Sequence, residues 1–237
     1  HLVRPKSIGR EIFEEYCGFT EYIRRYGLQR AEGVLLRYLS QLYKTLEQNV
    51  PEWAKTEAID DMVTFFRAML ERVDTSLIEE WESLLHPELR FQGTTDSREL
   101  HRLLAVRELA ADPAALGRRV RAEMHQLVRA LSRREWEEAA ASVRTLPGVP
   151  ESDWSGERLA EAMAPFLESY EELVFDHSAR LAERTLLHHQ GGARWKVTQI
   201  LVDPEGDNLW AAHGVVDLDA VAAVDGPLVA LTHLGPD

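Results

Sequence analysis

At Glu172 the hydrophobic pattern of this chain changes period. Before it, apolar side chains recur every three or four residues, as on the buried face of a helix. After it, LVFDHSA, RLAERTLLHHQ, ARWKVTQILVD, NLWAAHGVVDL and PLVALTHL alternate in steps of two, as strands with one covered face do. Gly191-Gly192, the DPEGD run at 203 to 207 and Asp225-Gly226 supply turns between them. Helices first and an antiparallel sheet afterwards define an α+β chain. The pattern predicts an all-helical N-terminal domain over residues 1–90 and an α+β domain with an antiparallel sheet over 97–237. The PELRFQGTTDS segment between them has loop composition.

The N-terminal helices follow from spacing. One or two run from Ser7 to Tyr26, and another, with Thr56 as its cap, buries Met62, Phe65, Phe66, Met69 and Val73. A further helix, capped by Asp74, carries Leu77, Ile78, Trp81, Leu84 and Leu85 and stops before Pro87. Between Gly27 and Pro51, Leu28, Ala31, Leu35, Leu39, Leu42 and Leu46 share one helical face. Arg30, Arg37 and Lys44, seven apart and flanked by Gln41, form a cationic stripe roughly 20 Å long on the other. In the second domain, helices are expected over 97–110, 113–131, 133–145 and 156–167, the second of them started by Asp112-Pro113. Arg118, Arg119, Arg121, Arg129, Arg133 and Arg134 read mainly as surface charges paired with nearby glutamates.

The net charge of −13 argues against a protein that coats nucleic acid indiscriminately. It is unevenly spread, however. Residues 1–48 hold 8 basic and 6 acidic side chains, whereas residues 146–237 hold 5 and 16. The acidity is thus concentrated in the last third, and screening over about 8 to 10 Å isolates the stripe from it. Cys17 is the single cysteine, which excludes an internal disulfide and a cysteine-based zinc site and fits a reducing cytoplasm. No apolar run approaches the ~20 residues of a membrane span, so no membrane partner is expected.

The chain lacks GxxxxGK[ST], a DEAD or DEAH box, GxSxG, HExxH and GxGxxG. It therefore carries no recognisable machinery for ATP hydrolysis, and no catalytic residue, metal ligand or cofactor is assigned to it. Asp176, His188, Trp195, Asp203 and Trp210 are the residues expected to line or fill a pocket in the sheet domain. The two tryptophans are expected to occupy it, while a convergent Asp/His pair would permit acid–base chemistry. His188 and its neighbour His189 point to opposite faces and cannot serve one site together. The DPEGD run reads as a turn, since it lacks the ligand order of a calcium loop.

Two blocks of sequence add a family likeness. FTEYIRRYGLQRAEGVLLRYLSQLYKTLEQNVP, continued by TEAIDDMVTFFRAMLERVDTSLIEEWESL, resembles the C-terminal region of actinobacterial superfamily-two DEAD/DEAH-box helicases. Within it, EGVLLR at 32 to 37 is similar to the C-terminal helical domain of Ski2- and Mtr4-like helicases, and WKVTQILVDPEGDNLWAAHGVVDLD resembles the closing segment of the same tail. The order of elements after residue 97 resembles nuclear-transport-factor-like or SnoaL-like domains, which implies a curved antiparallel sheet closing into a cone around the expected pocket. These likenesses imply a parent that translocates 3′-to-5′ on a strand, DNA rather than RNA, with ATP and magnesium held by motor domains preceding His1. They also imply that Arg30, Arg37, Gln41 and Lys44 contact single-stranded nucleic acid, and that the cone-like domain docks the motor domains or a protein partner. Two other readings compete: an interaction module without nucleic-acid contact, and a cone-fold enzyme or small-molecule binder.

Overall fold

In a computed structural model, residues 7–73, 109–220 and 226–236 are described, and the chain divides into two compact units, His1–Gly93 and Thr94–Asp237. The expected helix after Asp74, the 87–97 linker and most of the 97–110 helix lie outside the described residues.

The described part of the first unit is helical. Its elements are α1 (Ile8–Glu14), α2 (Phe19–Tyr26), α3 (Glu32–Lys44) and α4 (Glu57–Val73). The Ser7 to Tyr26 stretch is two helices because Tyr16 takes a positive φ of 50° and extended Gly18 starts the second. Gly27 ends α2 in the left-handed conformation at φ 64°, which glycine adopts without a Cβ penalty. Helix α4 packs against the other three. Phe65 meets Tyr16 at 4.5 Å and Phe13 at 5.5 Å between ring centroids, and Phe66 is fully buried beside them. A Cβ at Gly9 would stand 2.3 Å from Leu42 Cδ2, so this glycine is what lets α1 approach α3. The Glu11 carboxylate accepts from the hydroxyls of both Tyr22 and Tyr26. Burial first, and then that carboxylate, raise the Tyr22 pKa well above its ordinary value.

The second unit is α+β, with its helices over one face of an open, curved antiparallel sheet. Helices α5 (Pro113–Ser132), α6 (Trp136–Ala141) and α7 (Gly156–Tyr170) precede β1 (Thr185–Gly191), β2 (Arg194–Leu201), β3 (Trp210–Asp217) and β4 (Val229–Pro236). Each strand pairs with the next in sequence. Asp112 caps α5 by accepting from the amides of Ala114 at 2.9 Å and Ala115 at 3.0 Å, while Pro113 occupies a position whose N–H needs no partner. Leu116, Val120, Met124, Leu127 and Leu131 of α5 bury against Leu159, Met163 and Phe166 of α7 and the sheet residues Val197, Leu201, Ala212 and Val216. Each of these leucine, valine, methionine and phenylalanine side chains contributes about 1.5–3 kcal/mol on leaving water. The outer edge of β4 is covered, because the Arg144 amide donates to Val229 O at 2.9 Å and the Trp154 indole to Leu231 O at 2.7 Å.

One expected strand is absent. Leu173 to Ala179 contributes only the bridge of Val174 to Val202. The Asp176 carboxylate accepts from the amides of Ser178 at 2.7 Å and Ala179 at 3.2 Å, turning the chain into a short 3-10 helix at Ser178–Arg180. The following strand starts at Thr185, after a second such turn at Ala182–Arg184.

Not all the arginines of α5 are surface charges. Arg129 is 4% exposed and reaches Glu138 at 3.3 Å and Glu135 at 4.0 Å. Glu123 is also buried, its Oε2 accepting from the Leu228 and Val229 amides at 2.8 and 3.1 Å and its Oε1 from Arg119 at 2.9 Å. Burial pushes its pKa up, against the opposing pull of Arg119 and the two amides. His125 lies on the same helix. Its own burial, then the positive charges of Arg180 and Arg121, lower its pKa to about 3.

The unfolded chain protonates His125 near pH 6.5 and the folded one does not, so stability is lost as pH falls below about 6.5. The expected slope is about 1.4 kcal/mol per pH unit from this group. Urea unfolding between pH 7 and pH 5 should show that slope in the wild type and its loss in His125→Gln. Equal slopes in both would count against a buried neutral histidine.

Candidate nucleic-acid interface

Leu35, Leu39 and Tyr43 step by four along α3 and are buried, so the far side of this helix faces solvent. Tyr43 belongs to the buried face, which the leucine pattern had not included. Leu28, Ala31, Leu42 and Leu46 are half-buried. On the outward side stand Arg37 and Gln41, both exposed, with Val34 75% exposed among them. Lys44 is half-buried and interacts within the chain.

Arg30 is exposed but does not continue the α-helix. It sits in the 3-10 turn Gln29–Ala31, and the helix after Lys44 loosens into a π-helical turn at Thr45–Asn49. The seven-residue spacing of Arg30, Arg37 and Lys44 presumes one α-helical pitch throughout, whereas a 3-10 turn advances about 2.0 Å and a third of a turn per residue. The strictly α-helical part of the stripe thus runs from Arg37 to Lys44, about 10 Å, with Arg30 added from the preceding turn. Among the described residues neither Arg30 nor Arg37 forms an ion pair, in contrast to Arg10 with Glu14 and Arg25 with Glu15 and Glu21.

The residues expected in a pocket do not converge. Asp176 is exposed and committed to its turn, where the hydrogen bond from the Ser178 hydroxyl, and then those from the amides of Ala179 and Ser178, hold its pKa below the usual carboxylate range. His188 is exposed and lies across from Lys196. Trp195 is half-buried against the ring of His189, with centroids 4.5 Å apart. Trp210 fills core space, its ring edge-on to Phe166 at 5.4 Å. Asp203 is buried at the start of the β2–β3 loop, where its carboxylate accepts the amides of Glu205, Gly206, Asp207 and Asn208 at 2.6 to 3.1 Å. Burial raises its pKa, but the four amides outweigh that and leave it below the ordinary value. Asp203 is therefore the organiser of a turn.

A model of the family described as a domain of unknown function, DUF3516, matches residues 1–234. This chain belongs to the DUF3516 family. No curated protein and no solved structure matches it.

Two further features of the DUF3516 chain escaped the hydrophobic pattern. One is Trp53, 88% exposed in the 3-10 turn Glu52–Ala54 that follows α3. Its signal in the sequence is Pro51, which breaks the helix just before it and removes Trp53 from any repeating buried face. The other is a shallow groove of about 520 Å³ between the starts of α6 and α7, walled by Trp136, Glu135, Glu137, Glu138 and Glu157. Its carboxylates come from two helix starts brought together by folding, which spacing along one helix does not reveal. Among the described residues no helix is long and apolar enough to cross a membrane, and no three His, Cys, Asp or Glu side chains are grouped to hold a metal ion.

Proposed function

We propose that this DUF3516 chain is a non-catalytic C-terminal accessory region of an ATP-dependent DEAD/DEAH-box superfamily-two helicase of the cytoplasm. Its first unit contacts the single strand being moved, DNA in preference to RNA, and its second unit docks the motor domains or a protein partner. The observation that carries this reading is the outward face of the α3 region, where Arg30, Arg37 and Gln41 are exposed and the two arginines have no carboxylate partner among the described residues. Cations held out of ion pairs keep their full charge for phosphates, and such contacts fix a strand without reading its bases. ATP and magnesium belong to the motor domains of the parent, which supply the phosphate-binding elements this sequence lacks.

A direct test combines the 237-residue chain with ATP, magnesium and a single-stranded oligonucleotide. No phosphate release is expected with or without the strand, while the strand itself binds with an affinity that falls as salt rises. Turnover abolished by a substitution within residues 1–237 would contradict the accessory role. Absence of strand binding at low salt would favour an interaction module instead.

A further inference from the structure

Trp53 has an environment unlike that of a core tryptophan. The π-helical turn at Thr45–Asn49 ends at Val50, and Pro51 follows, unable to donate the amide that would prolong the helix. The chain then makes a tight turn, with Ala54 N donating to Pro51 O at 2.8 Å and Lys55 N to the same oxygen at 3.2 Å. These bonds hold the backbone on both sides of the indole, yet 88% of Trp53 is in water. A large aromatic on an ordered turn, at the end of the helix that presents Arg37 and Gln41, is the pairing used by sites for single-stranded nucleic acid. Cations follow the backbone, and a flat ring receives an unstacked base. The helix face itself is polar apart from Val34, so it lacks the continuous apolar side with which an interfacial helix enters a membrane.

We propose that Trp53 is a stacking platform for one base of a single strand whose phosphates lie along Arg30 and Arg37. This rests on the strand-binding reading above and adds to it a contact with the base rather than the backbone. The contact is independent of base identity, because every base has a π-face, and it adds no counterion release.

The test is fluorescence anisotropy with the 237-residue chain and three labelled probes of equal length: an oligothymidylate, an oligouridylate and a deoxyribose-phosphate strand lacking bases. Trp53→Ala should weaken oligothymidylate binding by about five- to a hundredfold with an unchanged salt slope, while the baseless strand binds both proteins alike. Trp53→Phe should stay within about threefold of wild type, since a smaller ring still stacks. Parallel losses on both sugars mark a stacking contact indifferent to the 2′-hydroxyl, and a loss confined to one shows on which strand the platform acts. The thermal midpoint should not move, because the side chain is exposed. If wild type binds with the expected salt dependence and Trp53→Ala binds equally well, the platform is wrong and the phosphate contact stands. No binding of any strand by wild type overturns both. Wild-type binding to phosphatidylglycerol vesicles but to no strand, lost in Trp53→Ala, would assign the indole to a lipid surface and also overturn the proposal.

Discussion

Replacing Glu123 with alanine is expected to cost the second unit about 3–5 kcal/mol of stability, the range for removing one partner of a buried ion pair. This carboxylate ties α5 to the beginning of β4 through the amides of Leu228 and Val229, and it also accepts from the Arg119 Nε. The Arg119 guanidinium donates in turn to Gly226 O at 3.4 Å, so one side-chain pair holds both ends of the approach to β4. Alanine leaves two amides without acceptors and a half-buried guanidinium without its counter-charge. Glu123→Gln keeps one oxygen but turns an NH₂ group towards donors, and should cost about 1–3 kcal/mol. Urea unfolding at pH 7 measures both, and the slope with denaturant should stay constant if only stability changes. A loss below about 1 kcal/mol for Glu123→Ala would mean that water replaces the carboxylate at the amides, against the buried clamp.

Glu123 also shows where sequence reading stops. Arg119 and Glu123 are four apart on a helix, the spacing of an ordinary surface pair, and nothing local distinguishes this pair from an exposed one. Its importance comes from β4, which is more than a hundred residues away. Arg129 is the same case, with Glu135 and Glu138 in reach but its own side chain 4% exposed. Features decided locally were legible instead. Asp112-Pro113 starts a helix because the cap and the proline act within one turn, and the α+β order follows from a change of period that needs no tertiary knowledge. Leu173 to Ala179 misled because alternation is a weak signal over seven residues and the Asp176 side chain offers the backbone a competing turn. Arg30 misled for a related reason: spacing by sevens assigns a common face only where the pitch is constant, and the 3-10 turn at Gln29–Ala31 changes it. The face of Arg37 and Gln41 was legible because Leu35 and Leu39 fix the opposite side.

The largest functional effect is expected from that face. Arg30 and Arg37 are exposed and free of ion pairs among the described residues, so replacing both by alanine should leave folding nearly unchanged while removing two phosphate contacts. Each contact with a single strand contributes ~0.7 to the slope of log affinity against log salt. Adding Lys44→Ala should change the slope less than either arginine does, because Lys44 is half-buried and already interacts within the chain. The deciding measurement is the affinity of the 237-residue chain for a single-stranded oligonucleotide at four salt concentrations, before and after Arg30→Ala with Arg37→Ala. A slope flatter by about 1.4, with about tenfold or greater loss of affinity at low salt and similar losses across base sequences, is the predicted result; an unchanged slope with unchanged affinity would contradict it and leave these arginines as solvated surface charges.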